Sequence, residues 1–264
     1  MANIRFRKNS DYVSGQKIKF LGGTGQISAK NIISGGGGGD PGVAGLMNWL
    51  KADAGVILSG PDVMTWEDQS GNARHWTASG AGFYLTPNVQ NGLPVIGTEY
   101  TSICFTTPNF INDGDPAEVF VVLRSLNDAR LGWSHFGKSL TNFVPQGRYT
   151  FSGQIRETFG LNEVSHNVSV YAGDTAYAIY NVSADGSTHT IRADYPDFGG
   201  APGLVTLSTT SMSATAWRPS EFVLFGHNLS RWWGTIGEML IYDHVLTDPD
   251  RTTVYNYLQS RWAV

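Results

Sequence analysis

From Val56 onward the chain alternates apolar and polar residues with period two, in runs of three to six residues. The runs include Val63–Trp66, Glu118–Leu123, Tyr149–Phe151, Tyr177–Val182, Thr188–Arg192, Leu204–Leu207, Glu221–Phe225 and Glu238–Tyr242. Successive side chains of a strand point to opposite faces, so this pattern describes strands with one face buried, and a helix cannot satisfy it. Turn dipeptides separate the runs: Ser70-Gly71, Asn91-Gly92, Asp113-Gly114, Asp185-Gly186 and Gly199-Gly200. No alternation of strands with helical segments suggests a parallel sheet, and no fixed-period repeat occurs. The expected architecture is all-β, two antiparallel sheets packed as a sandwich.

Two segments carry helical spacing instead. Asp40-Pro41 reads as a cap and first turn, with Leu46, Trp49 and Leu50 at i, i+3 and i+4. Near the other end, Thr247-Asp-Pro-Asp250 combines a cap, an early proline and early acid, followed by the apolar stripe Val254, Tyr257, Leu258 and Trp262. Both are expected as short peripheral helices.

The five glycines Gly35–Gly39 divide the chain. Such a run cannot pack or hold a regular element, so it reads as a flexible hinge. Residues 1–39 hold Arg5, Arg7, Lys8, Lys17, Lys19 and Lys30 against Asp11, a net +5, while the rest of the chain carries −9 of the total −4. The chain thus divides into a basic arm (1–34), a hinge (35–39) and an acidic body (40–264). Within the arm, Ile4-Arg5-Phe6-Arg7 and Lys17-Ile18-Lys19-Phe20 alternate apolar with basic residues. Those eight residues are the expected docking strands, which need a partner's acidic or edge-strand surface to bury their apolar side, the alternative being a partly ordered leader. Nucleic acid is disfavoured as that partner: the basic residues are scattered, and Phe6, Tyr12 and Phe20 are too few for a stacking platform.

Hydrophobic residues at 41% and charged residues at 15% exclude a disordered chain and a coiled coil. The one cysteine, Cys104, lies in an apolar triplet and reads as a buried small hydrophobe. No apolar run approaches membrane-spanning length, and the basic N-terminus lacks the apolar stretch of a signal peptide. The sequons at Asn167, Asn181 and Asn228 accordingly read as chance matches rather than glycan acceptors.

Leu46–Val56, Val63–Asn72 and Asn91–Ile96, together with Gly234–Asp243, Leu246-Thr-Asp and Val254–Trp262, resemble concanavalin A-like, laminin-G-like jelly-roll domains. The resemblance spans about residues 43–264 and is strongest at both ends. It implies a jelly roll whose first and last segments are neighbours, with Trp49, Trp66 and Ile241 facing inward. Domains of this family serve as lectins, as accessory modules of glycosidases, and as exposed domains on phage and bacterial surface proteins, so fold alone does not choose the function.

Chemistry is sparse. Jelly-roll hydrolases of the laminarinase type carry Glu-x-Asp-x-x-Glu on one strand, and no segment here has that spacing; Glu67 and Asp68 are adjacent, and Glu157, Glu163, Glu221 and Glu238 are isolated. The six histidines form no metal-binding pair. Asp68-Gln-Ser-Gly-Asn72 places oxygens from Asp68, Ser70 and Asn72 at a calcium-loop spacing, though an Asx turn needs the same residues and no metal. Trp217, Tyr195, Trp232 and Trp133 flank glycine- or proline-containing loops and are the candidate sugar-stacking residues. The resulting expectation is a non-enzymatic virion structural protein, a phage capsid-decoration or tail appendage. Made in the host cytoplasm without a signal peptide, it would sit on the virion surface as a homo-oligomer. Its arm would dock on a capsid or tail protein, and its jelly roll would face a host surface glycan. No cofactor beyond calcium is expected. The alternatives are a free carbohydrate-binding lectin and a glycoside hydrolase.

Overall fold

The computed structural model describes residues 39–98, 103–112, 115–125, 134–136, 147–149, 154–157, 164–167, 176–194, 203–211, 222–227, 230–231 and 234–264. The docking strands of the arm lie outside these residues, as do Trp133, Tyr195, Trp217 and Trp232.

The first strands are β1 (Leu46–Lys51), β2 (Val56–Ser59), β3 (Asp62–Trp66), β4 (Trp76–Ala78), β5 (Phe83–Gln90), β6 (Leu93–Thr98), β7 (Phe105–Thr107) and β8 (Ala117–Ser125). Short strands follow: β9 (Ser134–Phe136), β10 (Gly147–Tyr149), β11 (Gln154–Glu157) and β12 (Val164–Asn167). Next come β13 (Ala178–Ala184), β14 (Thr188–Asp194), β15 (Val205–Ser211), β16 (Phe222–Leu224), β17 (Gly226–His227), β18 (Ser230–Arg231) and β19 (Gly234–Tyr242). One helix, α1 (Asp248–Trp262), ends the chain. No helix among the described residues is long and apolar enough to cross a membrane.

The main sheet is antiparallel in the order β15-β14-β13-β8-β19-β6-β5-β3-β4-β7-β16-β9, with β1 also on β19 and β2 on β3. Its interior joins Val119, Val121, Tyr180, Ile191 and Ile241 to Trp66, Trp76, Phe83, Phe105 and Leu224. The expected sandwich is therefore present, as one hydrogen-bonded sheet that closes over itself in two layers rather than as two separate sheets. The aromatic seam is close-packed: the Phe83 and Phe105 rings lie 4.2 Å apart, and Trp66 meets Phe105 edge-on at 6.1 Å.

The resemblance's neighbouring ends are found, since β1 pairs β19 from Leu46↔Tyr242 to Lys51↔Glu238. The helix expected over Leu46–Leu50 is not. Gly42 and Gly45 adopt positive φ, which turns the chain before any helix can start, and the segment enters the sheet with a bulge between Leu46 and Asn48. Its apolar spacing looked helical because β1 is covered on both faces: Leu50 faces the sandwich interior and Trp49 a second core.

That second core lies under α1 and joins Trp49, Phe120, Val122, Ile179, Leu240 and Tyr242 to Val254, Leu258 and Trp262. The helix starts where the capping signal places it: Thr247 accepts from the Asp250 amide, with acids at 248 and 250 in the first turn. It stops at Ala263, which is left-handed. Its last carbonyls are capped by the β5–β6 hairpin, where Asn91 and Gly92 both take positive φ as a two-residue hairpin turn requires. Gln90 donates to the Trp262 carbonyl at 2.8 Å and Asn91 to that of Arg261 at 2.8 Å.

Candidate functional site: the cleft between helix and sheet

The sheet face beneath α1 holds two fully buried carboxylates, Glu118 on β8 and Glu238 on β19. Alternation puts Glu118 on this face because its neighbours Ala117 and Val119 face the interior. Glu238 arrives there through the register shift between Ile236 and Glu238. Each carboxylate meets an arginine of the helix. Glu118 accepts from Arg251 Nε at 2.6 Å and Nη2 at 3.1 Å, from Asn181 Nδ2 at 2.9 Å and from the Leu246 amide at 2.8 Å. Glu238 accepts from Arg261 Nε at 2.9 Å, Trp49 Nε1 at 2.7 Å, Trp262 Nε1 at 2.8 Å and the Tyr257 hydroxyl at 2.8 Å. Both are sealed from water and fully engaged. They clamp the helix to the sheet.

Beside the Glu118 clamp, α1 and the sheet leave an open cleft of about 350 Å³. Arg192, Leu204 and Thr206 line it from the sheet side, and Asp248, Arg251 and Tyr255 from the helix. Arg192 stands opposite Asn181 in the β13–β14 register. Its Nη1 donates to Asn181 Oδ1 at 3.0 Å and Ser183 Oγ at 3.1 Å, and lies 4.0 Å from Glu118 Oε1. Nε and Nη2 make no hydrogen bond among the described residues, and the side chain keeps 15% exposure. Burial and the neighbouring Arg251 charge lower the Arg192 pKa, with Glu118 and Asp248 acting the other way. Burial also works against the charge on Arg251, but the Glu118 hydrogen bonds outweigh it and its pKa is raised.

Arg251 is committed. Besides Glu118, it donates through Nη1 to Asp248 Oδ1 and through Nη2 to the Leu246 carbonyl, both at 2.5 Å. Tyr255 donates its hydroxyl to Asp194 Oδ2 at 2.5 Å. On the strand side the cleft is therefore lined by Arg192, whose Nε and Nη2 make no hydrogen bond among the described residues. On the helix side lies Asp248, whose side chain is 96% exposed and whose Oδ2 makes no hydrogen bond among the described residues. A donor and an acceptor lining one cleft, with Leu204 and Tyr255 also in its lining, can hold a small polar molecule that both donates and accepts.

Of the residues singled out in the sequence, Asp68 and Asn72 sit together beside β1, away from this cleft. Asp68 Oδ1 accepts from the Trp49 and Ser70 amides, and Oδ2 from the Ser70 hydroxyl and the Arg74 amide. Asn72 Nδ2 donates to the Leu46 and Met47 carbonyls at 3.0 Å. Both thus tie an Asx turn to the first strand. No group of three His, Cys, Asp or Glu side chains that could hold a metal occurs among the described residues. Asn181 is fully buried against Glu118, so its sequon offers no glycan acceptor.

Sequence reasoning passed over Arg192, Asp248, Arg251 and Tyr255. One signal was readable: once Thr247 caps the helix, positions 248, 251 and 255 share one face. The strand half was not, because Arg192 comes to the cleft only through the β13–β14–β15 pairing.

No protein-family model matches this chain, and no curated protein does. Solved structures do share its fold. An arabinofuranosidase complexed with arabinofuranosyl-α-1,2-xylobiose superposes with a TM-score of 0.55 at 13% identity, over 76% of this chain and 51% of that one. Domain 4 of AbnA, a GH43 extracellular arabinanase from Geobacillus stearothermophilus in complex with arabinotriose, gives 0.54 at 14% identity, over 80% of this chain and 97% of that domain. Trypanosoma rangeli sialidase gives 0.56 at 15% identity, over 89% and 36%. The chain spans about half the length of the arabinofuranosidase. At these identities the likeness establishes a shared β-sandwich fold.

Proposed function

We propose that the body, residues 40–264, is a non-enzymatic carbohydrate-binding module and that the basic arm tethers it to a larger assembly. The observation that carries the binding reading is the cleft, lined by Arg192, whose Nε and Nη2 make no hydrogen bond among the described residues, and by the exposed carboxylate of Asp248. Sugar hydroxyls both donate and accept, so one ring can satisfy both groups. The sandwich shared with an arabinotriose-bound arabinanase domain supports the reading. Its non-enzymatic part rests on Glu118 and Glu238, both committed to clamping the helix.

The tethering reading rests on the sequence: charge reverses across Gly35–Gly39, and the arm's alternating residues need an external surface. A phage capsid or tail protein is the partner proposed, which places the module on a virion surface facing host glycans. A glycan array probed with the full chain tests the binding half, and silence across neutral and acidic arrays overturns it. Reducing-end release from a polysaccharide above a protein-free control, whether kept or lost in Glu118→Gln and Glu238→Gln variants, overturns the non-enzymatic half. Co-sedimentation with particles tests the tether: a chain starting at Asp40 is expected to stay behind while the full chain sediments.

A further inference from the structure

We infer that the cleft takes an uncharged sugar in preference to an acidic one, with Arg192 reading a pair of ring hydroxyls. This rests on the carbohydrate-binding reading and adds the class of ligand and the residue that selects it.

Charge balance comes first. Two guanidiniums, Arg192 and Arg251, share their network with two carboxylates, Glu118 and Asp248. Arg251 is bound through all three of its nitrogens to Glu118, Asp248 and the Leu246 carbonyl. The charge of Arg192 is partly answered by Glu118 at 4.0 Å. Among the described residues no positive charge is therefore left over for an anionic ligand, and the Asp248 carboxylate lines the same cleft. Like charges sharing one cleft oppose binding.

Hydrogen-bonding capacity points the same way. Two N–H groups, on Nε and Nη2, form one planar edge that can donate to two acceptors side by side. A carboxylate could take that edge, but it only accepts and leaves Asp248 Oδ2 without a donor. Adjacent hydroxyls accept from Arg192 and still have protons to give Asp248. Leu204 and Tyr255 supply apolar surface for the ring's carbon face. Nη1 is held by Asn181 and Ser183, so the guanidinium plane is fixed before any ligand arrives.

The test is a panel of immobilised neutral oligosaccharides and their uronic- or sialic-acid-bearing counterparts, read with the full chain and with Arg192→Gln and Asp248→Asn. The wild type is expected to bind neutral members and to hold that binding as salt rises. Arg192→Gln should weaken it by roughly tenfold or more, the loss of a charge-assisted pair of hydrogen bonds. Asp248→Asn, at an exposed position that does not threaten the fold, should shift the preference toward acidic members. Binding confined to acidic glycans overturns the inference and leaves the carbohydrate reading standing. So does neutral binding unchanged in Arg192→Gln with a wild-type circular dichroism spectrum. No binding to any member overturns both.

Discussion

Replacing Arg251 with methionine should release the N-terminal half of α1 from the sheet, and the structure gives the size of the effect. The variant loses the 2.6 and 3.1 Å contacts to Glu118 and the bond to the Leu246 carbonyl. Glu118 has no exposure and becomes a buried carboxylate without its ion-pair partner. Breaking such a pair from one side costs about 3–5 kcal/mol. Asn181 Nδ2 and the Leu246 amide remain on Glu118, and Arg192 stands 4.0 Å away, so the lower end applies, about 3 kcal/mol. At about 2–4 °C per kcal/mol for a chain of this size, the Tm falls by roughly 6–12 °C. The assay is thermal and urea unfolding of Arg251→Met, Glu118→Leu and the double variant, read as a double-mutant cycle. The double variant should recover much of the loss, since two apolar side chains replace a desolvated pair. A single-variant cost under about 1 kcal/mol, the range of an exposed ion pair, would refute the clamp.

Three further outcomes follow from the same geometry. Gly237→Ala should cost about 1–3 kcal/mol, because a Cβ there runs into the Trp262 ring and the end of the helix must shift; chemical denaturation measures it. Burial raises the pKa of the Tyr242, Tyr255 and Tyr257 phenols. Above about pH 10 the unfolded chain releases phenol protons that the folded chain keeps, so stability is full below that pH and falls above it. Urea midpoints at neutral pH and above pH 10 check this, and Tyr257→Phe should flatten part of the alkaline decline. Asp68→Ala should lower stability by about 2 kcal/mol through loss of the bonds to Trp49, Ser70 and Arg74, with the same loss in calcium and in chelator.

Elements set by local chemistry were legible in the sequence. The Thr247 cap with its early acids announced α1, Asn91-Gly92 announced the β5–β6 turn, and alternation over Glu118–Leu123 and Thr188–Arg192 announced β8 and β14. The misreading of Leu46–Leu50 came from a strand covered on both sides, where period two disappears and an apolar cluster resembles a helical stripe. The clamps were opaque for a different reason. Glu118 and Arg251 are 133 residues apart, and nothing local to either shows that it has a partner. A glutamate inside an apolar strand is a sign of such a partner, since a buried charge is tolerated only when paired. The cleft inherits that opacity, because Arg192 meets the helix only after β14 has paired with β13 and β15.

The most direct measurement is a titration of arginine-labelled full-length protein with the neutral oligosaccharide that binds best, followed by nuclear magnetic resonance at the guanidinium Nε–H groups. Arg192 Nε, which makes no hydrogen bond among the described residues, should shift and saturate with the ligand, together with the amides of the first turns of α1. Arg261, held by Glu238 and Asp53 away from the cleft, should stay in place. Saturable binding that leaves Arg192 and the helix start unmoved while signals elsewhere shift would contradict the account.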